Sequence, residues 1–252
     1  MKATPALAWD YTELAATYDR RADYHAGLIR DVLGALGLRP GDPVLEVGAG
    51  TGKLTAVLCA QALDVWALEP NAGMRAVALA KPSVRRARWL AARGEALPLA
   101  ARSMRLVAYG SSFNVLPAQA ALAECARVLR PGGHWLALWN HRDLDDPLQQ
   151  AVEATIRQAL PEYDYGSRRA SPAADLASHG AFSEVAAAEQ RFIVALPASE
   201  WLAAWRSHAT LQRQAGDRLP KVLAALDALV GNAATLEIPY YTRLWTARLT
   251  PR

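Results

Sequence analysis

The chain has 252 residues, 52% of them hydrophobic, which suits one α/β domain with a sizeable core. Its net charge of +4 is spread out: the pairs Arg20-Arg21, Arg85-Arg86 and Arg168-Arg169 lack the aromatic interleaving of a single-strand platform, so a solvated surface is expected and no nucleic-acid partner. No run of about 18 uncharged apolar residues occurs, so no membrane span is expected, and Met1-Lys2-Ala3-Thr4-Pro5 lacks the apolar core of a signal peptide.

In chain order, residues 7–25 read as helical, and residues 26–37 as a helix ending at Gly37. The turn Pro40-Gly41-Asp42-Pro43 leads into Val44-Leu45-Glu46-Val47, a short buried parallel strand. Gly48-Ala49-Gly50-Thr51-Gly52 follows, and Leu54, Val57 and Leu58 then repeat at helical spacing. A strand, a glycine turn and a helix start form a nucleotide-type corner, where backbone approaches a ligand and free N–H groups face an anion. A phosphate-binding P-loop is excluded, because Gly48 and Gly52 have three residues between them and Leu54 stands where a hydroxyl is needed. The dinucleotide fingerprint fails too, since Lys53 occupies the place of its third glycine.

Val65-Trp66-Ala67-Leu68 is a second strand closed by Glu69, placed to accept from ribose hydroxyls. Pro70 stops it, Asn71 can cap the next helix, and Met74 lies on that helix's first turn. A third strand is expected over 83–90 and a fourth over Met104–Gly110. An amphipathic helix over 118–129 leads through Pro131-Gly132-Gly133 into a fifth strand that begins at His134 and ends at Trp139-Asn140-His141. Beyond it come a helix over 147–160, a tyrosine-containing loop at 161–166, a strand over 182–195, helices near 198–212 and 217–230, and a last strand over 235–249. Trp201, Trp205 and His208 share one helix face, as a core stripe or as part of a lid. Cys59 and Cys125 read as buried small hydrophobes in a reducing cytoplasm, and no Cys/His cluster has metal spacing, so no metal is expected.

Glu46, Gly48, Gly50 and Gly52, written E-x-G-x-G-x-G, together with Arg127-Val128-Leu129-Arg130-Pro131-Gly132-Gly133, resemble the signature motifs of class I S-adenosylmethionine (SAM)-dependent methyltransferases, in particular bacterial small-molecule enzymes of the type 11 kind. The resemblance covers residues 11–145 by motif and the rest by topology. It implies a single domain over 1–252: a Rossmann-like αβα sandwich with seven strands, the last antiparallel, an N-terminal cap (1–37), a SAM-binding core (38–145) and substrate-side helices and last strands (146–252). The implied cofactor is SAM, with S-adenosylhomocysteine as product. Its carboxylate is expected at the N–H groups of Gly48, Ala49, Gly50 and Gly52, its ribose at Glu69, and its adenine at Met74 and the walls Arg93, Gly94 and Glu95, with Pro70 also among the cofactor-binding residues. Arg93 stands where the family has an Asp or Thr, so either its backbone carbonyl accepts from adenine or adenine binds differently. Glu46, Ser111 near the methionine portion, and Tyr18 in a segment closing over the cofactor complete that set.

Tyr24, Phe113, Trp139 and Asn140 are the expected acceptor-side residues, with Asn114 as an orienting group and His141 as general-base candidate. Tyr18, Tyr24 and Met74 also read plainly as packing residues. The expected function is methyl transfer to a small-molecule acceptor in the cytoplasm, with a homodimer left open. The alternatives are an enzyme of the same fold that cyclises or cleaves SAM, releasing methylthioadenosine, and a non-catalytic SAM-binding protein.

Overall fold

A computed structural model of the chain describes residues 15–164 and 171–250. Seven strands, β1 Pro43–Val47, β2 Asp64–Leu68, β3 Arg88–Leu90, β4 Met104–Gly110, β5 Leu129–Arg142, β6 Phe182–Pro197 and β7 Thr235–Leu249, form one sheet in the order β3-β2-β1-β4-β5-β7-β6. The helices are α1 Ala15–Tyr18, α2 Ala26–Ala35, α3 Lys53–Ala60, α4 Ala72–Leu79, α5 Ala118–Val128, α6 Pro147–Ala159, α7 Ala173–His179, α8 Ala198–Arg206, α9 Ala209–Ala215 and α10 Leu219–Val230. Strands β1 to β5 pair in parallel, and β7 runs antiparallel to both β5 and β6. This is the expected Rossmann-like sheet. Its strand order reverses between β1 and β4, which opens a crevice at their carboxyl ends.

Side-chain alternation sorts the core. Val44, Leu106, Ala108, Leu136 and Leu138 face α2 and α3, where they meet Ile29, Leu33, Leu54 and Leu58. Leu45, Val107, Tyr109, Trp135 and Ala137 face the other way, onto α5 and α7. Strands covered on both faces need apolar residues at every position, which is why their sequences are continuous apolar runs. Cys59 and Cys125 are buried and free within these layers.

A third apolar cluster joins α6, α8, α9 and α10 to Leu236 and Ile238 of β7. Trp201 and Trp205 pack edge to face inside it, 6.1 Å apart, and the Arg142 guanidinium lies 4.6 Å over the Trp205 ring. Of the two readings of the Trp201-Trp205-His208 stripe, the structure supports core. His208 starts α9, its Nδ1 accepting from the Leu211 N–H at 3.2 Å. No helix among the described residues is long and apolar enough to cross a membrane.

Several element boundaries differ from expectation. Residues 7–14, and Tyr165 and Gly166 of the tyrosine-containing loop, lie outside the described residues. The remainder of the expected N-terminal helix shrinks to one turn, α1, before an extended stretch that precedes α2. The third strand is three residues long, because Pro82 opens a 3-10 turn over Pro82–Val84. The helix near 198–212 divides at Ser207-His208, where His208 caps a new helix. The short helix α7, ended by Gly180 at φ 72°, gave no periodic signal.

Trp135 is fully buried, with Phe113 at 5.1 Å and Tyr109 at 6.0 Å. Trp135→Ala is expected to cost about 3–5 kcal/mol of unfolding free energy. Leu79, which is 56% exposed on α4, is expected to tolerate alanine within about 0.5 kcal/mol. Urea titration of both variants checks the assignment of inner and outer faces.

Candidate functional site

The chain leaves β1 through Gly48, Gly50 and Gly52, whose φ values are 70°, 56° and 83°. An L side chain pays roughly 1–2 kcal/mol in that left-handed region. At Gly48 there is a second reason for glycine: a Cβ there would sit 2.6 Å from Ser112 Cβ, so the turn lies directly on the turn that follows β4. The N–H groups of Gly48 and Ala49 both donate to Leu68 O, at 2.8 and 2.9 Å. Gly52 N–H donates to Ala49 O at 2.9 Å, and Gly50 N–H to Glu69 Oε2 at 2.9 Å. These four donors were expected to meet a ligand carboxylate; the structure spends them on closing the turn. The amino end of α3 has no side-chain cap: its N-cap, Gly52, makes none.

Glu69 is buried behind this turn. Besides the Gly50 N–H, it accepts from Asn71 N–H at 2.8 Å, while Arg75 donates to its backbone carbonyl. Burial pushes its carboxyl above the usual range, and the two N–H groups pull against that. Each carboxylate oxygen keeps a lone pair for a further donor. Pro70 ends β2, and Asn71 caps α4 by accepting from Met74 N–H at 3.0 Å. Met74 is buried with its methyl end at Gly50, where a Cβ would lie 3.2 Å from Met74 Cε.

Glu46, expected among the cofactor-binding residues, points elsewhere. It is 1% exposed and accepts from Thr55 Oγ1 at 2.5 Å, which ties β1 to α3. Burial pushes its carboxyl up to about 8, and the nearby charge of Glu69 adds to the shift.

In the loop after β3, Arg93 is exposed and pairs with Glu95 at 3.2 Å. The Arg93 carbonyl already accepts from Ala96 N–H at 3.1 Å. Gly94 is pressed against the end of β1, where a Cβ would meet Val47 Cγ1 at 2.8 Å and Leu116 Cδ1 at 2.9 Å. Glu95 Oε2 is buried and has no hydrogen-bond partner among the described residues.

The turn after β4 supplies the other wall. Ser111 holds φ 56° and donates its N–H to Leu138 O at 2.8 Å, while its Oγ accepts from the Tyr24 hydroxyl at 2.9 Å. Ser112 Oγ donates to Val47 O. Two of the expected acceptor-side residues, Phe113 and Trp139, lie inside the core. Phe113 is 3% exposed and packs at 5.1 Å against Trp135. Trp139 is 4% exposed, 5.5 Å from Trp245, and its Nε1 donates to Asn114 Oδ1 at 2.9 Å. His141 is 3% exposed, at the carboxyl end of β5. Asn140 is also committed to the chain itself: Nδ2 donates to Ala22 O and Asp23 O at 3.1 and 2.9 Å, and Oδ1 accepts from Thr242 Oγ1 at 2.6 Å.

These contacts belong to a strap, residues 18–25, that crosses the turn. Lys81 pairs with Asp19 and donates to Thr51 O at 2.8 Å. Lys53 pairs with Asp23 at 2.5 Å, and His25 N–H donates to Thr242 Oγ1 at 2.9 Å. Tyr18 stacks under the Arg21 guanidinium at 4.2 Å. Ala49 and Thr51 are thereby buried. Sequence reasoning missed Asp19, Asp23, Lys53 and Lys81. The one available signal was Lys53, a charged residue standing where a glycine turn of another type has its third glycine.

Residues 45–137 match the model of a methyltransferase-domain family. A demethylmenaquinone methyltransferase of Beutenbergia cavernae is 40% identical over 107 residues, which are 41% of this chain and 43% of that one. The chain spans from about two fifths to two thirds of the length of the curated relatives it matches. Among solved structures, a protein of Anaeromyxobacter dehalogenans assigned as a type II methyltransferase superposes with TM-score 0.68 at 20% identity, over 92% of this chain and 99% of that one. Haemonchus contortus phosphoethanolamine N-methyltransferase 2, in complex with phosphomonomethylethanolamine and S-adenosylhomocysteine, gives TM-score 0.56 at 14% identity, over 96% of this chain and 58% of that one. Both show the same fold.

The Glu46 carboxyl titrates near 8 when folded, well above an ordinary glutamate. The folded chain therefore keeps a proton that the unfolded chain loses, and stability falls as pH rises toward 8, by at most about 1.4 kcal/mol per pH unit. Glu46→Gln keeps an acceptor for Thr55 and cannot ionise, so its thermal melts at pH 5, 6.5 and 8 are expected to show a flatter decline. A parallel decline in both proteins would assign the pH dependence to other groups.

Proposed function

We propose that this chain, whose residues 45–137 carry a methyltransferase domain of the class I SAM-dependent kind, moves a methyl group from SAM to a small-molecule acceptor. The carrying observation is the left-handed glycine turn braced by the Glu69 carboxylate at the crevice between β1 and β4. The residues present fit the cofactor. The amino end of α3 offers N–H groups to its carboxylate, the spare lone pairs of Glu69 suit ribose hydroxyls, and Met74 and Gly94 flank the place for adenine. Glu95 Oε2, a buried acceptor without a donor among the described residues, suits an adenine amino group.

SAM supplies a methyl group already activated on a sulfonium, so the protein's share is position and exclusion of water. The strap supplies the exclusion. Tyr18 and Tyr24 belong to it, Tyr24 with its hydroxyl on Ser111. Among the described residues, the Asn114 oxygen is bonded to Trp139. An acceptor that is already nucleophilic needs no base for the transfer. The relative named for demethylmenaquinone and the neighbour holding a small phosphorylated amine support a small-molecule acceptor. The reading also carries a cytoplasmic location and one catalytic domain: cap 1–37, binding core 38–145, acceptor-side helices and strands 146–252.

Calorimetry with SAM and mass spectrometry of the products test the proposal. Glu69→Ala is expected to raise the SAM dissociation constant at least tenfold, about 1.4 kcal/mol; unchanged affinity would remove Glu69 from the ribose site. S-adenosylhomocysteine formed only when acceptor is present supports methyl transfer. Methylthioadenosine formed from SAM alone overturns it in favour of cyclisation.

A further inference from the structure

The sheet has two edges, and they are finished differently. The edge strand β3 is three residues long and carries Arg88. A short, charged edge resists pairing with another chain. The opposite edge, β6, runs for 16 residues. It pairs with β7 on one side, and among the described residues no strand lies on its other side. A bulge between Ser183 and Ala186, with Glu184 at φ 52°, blunts only its start. From Ala186 to Leu196 the register is regular, and the stretch holds neither lysine nor proline. Every second residue of such an edge turns its N–H and C=O away from the sheet. The Gln190 amide donates to Arg191 O at 3.0 Å, which leaves that oxygen a second lone pair.

Alternation puts Ala187, Glu189, Arg191, Ile193 and Ala195 on one face of β6, all of them exposed. The two charges in the middle are opposite. Each has a partner within the chain: Glu189 Oε2 accepts from Arg243 Nε at 2.6 Å, and Arg191 Nε donates to Asp143 Oδ2 at 2.8 Å. Those bonds engage neither Glu189 Oε1 nor the terminal nitrogens of Arg191, and the two side chains remain 50% and 46% exposed. An antiparallel copy of the strand, related by a two-fold axis at Gln190, sets Glu189 against the partner's Arg191 and Arg191 against the partner's Glu189. Ala187 then meets the partner's Ile193, and Ala186 the partner's Val194. Moving the axis by one residue, to Glu189 or Arg191, sets like charges face to face, which is unfavourable. The strand is therefore complementary to itself, the condition for an isologous interface.

We infer that β6 is a dimer edge: two copies of this chain join through residues 186–194 of their β6 strands, antiparallel about a two-fold axis at Gln190, so that one sheet runs through both. The occupant is a second copy because the order of apolar, acidic, basic and apolar residues along the exposed face reads as its own complement. Main-chain hydrogen bonds between the two edges supply the affinity, and the crossed Glu189–Arg191 pairs fix the register. Each pair extends a charge row already present in the chain, from Arg243 through Glu189 to the partner's Arg191. Ile193, 53% exposed in one copy, is covered in the dimer. The inference is independent of the methyl-transfer reading.

Sedimentation equilibrium of the full chain, from about 1 to 100 μM, is expected to reach twice the 27.2 kDa of one chain. A monomer throughout that range overturns the inference. Arg191→Glu sets a carboxylate against the partner's Glu189 and is expected to raise the dimer dissociation constant at least tenfold; an unchanged constant overturns the charge pairing. Gln190→Cys keeps both charges and stands apart from the folding of that variant. Its thiol faces its own image at the axis, where opposed Cα atoms lie about 4.5–5.5 Å apart, within disulfide reach. Cys59 and Cys125 are buried and do not compete. Under mild oxidation Gln190→Cys is expected to form a covalent dimer at least tenfold faster than Ile193→Cys, whose thiol is exposed but opposes the partner's Ala187. Equal rates, or no covalent dimer of Gln190→Cys, place the contact on another surface and overturn the assignment of this edge.

Discussion

The site depends on a backbone turn held in a conformation that side chains resist. Gly48, Gly50 and Gly52 curve the chain back on itself, and the turn draws three parallel strands together at their carboxyl ends. Leu68 of β2 receives two of its N–H groups, Glu69 receives a third, and Ser112 beyond β4 closes on Val47. A methyl group at Gly48 would collide with Ser112 before it met any ligand. The glycines therefore serve the packing of the protein on itself as much as the approach of a ligand. Their own N–H groups go to the fold, and the helix that follows starts without a side-chain cap.

The carboxylates show how the same residue type divides into different jobs by burial. Glu46 lies within the layer between β1 and α3, bonded to one hydroxyl, and holds its proton to about pH 8. Glu69 lies one strand away with two N–H donors on it, which oppose the effect of burial. Glu95 has one oxygen in an exposed pair with Arg93 and the other buried and unsatisfied. Only the last two keep acceptor capacity toward the crevice. Alternation along β1 carries the distinction: Glu46 shares its face with Val44, whose neighbours are the residues of α3.

Local signals were legible in the sequence, and non-local ones were not. The glycine turn, Glu69 closing β2, the Asn71 cap and the Pro-Gly-Gly entry to β5 each depend on residues a few positions apart, and each stands where the sequence puts it. The acceptor side fared worse. Phe113 and Trp139 are residue types that line pockets, yet parity along β5 puts Trp135 and Trp139 on one face, the face covered by α5 and α7, and Phe113 packs there with them. That parity was readable. The strap was not: Asn140 meets Ala22 across 118 positions and Thr242 across 102, and no spacing rule spans such distances. Asp19 and Asp23 look like ordinary surface acids until the fold sets lysines beside them.

Residues 18–25 lie shut over the glycine turn, held by Lys81 and Lys53 from beneath and by Asn140 and Thr242 from the sheet. Where a guest reaches Gly50 only with this cover displaced, its apparent affinity is its intrinsic affinity scaled by the fraction of molecules caught open. The carboxylate of Asp23 is 81% exposed, so its attraction to Lys53 is of the kind that dissolved salt screens. Added electrolyte then works in two directions at once. It weakens the pull of a helix end on an anionic guest, and it loosens the cover that keeps the guest out. The balance of the two makes the ionic strength of the medium a control on how often this site changes its occupant.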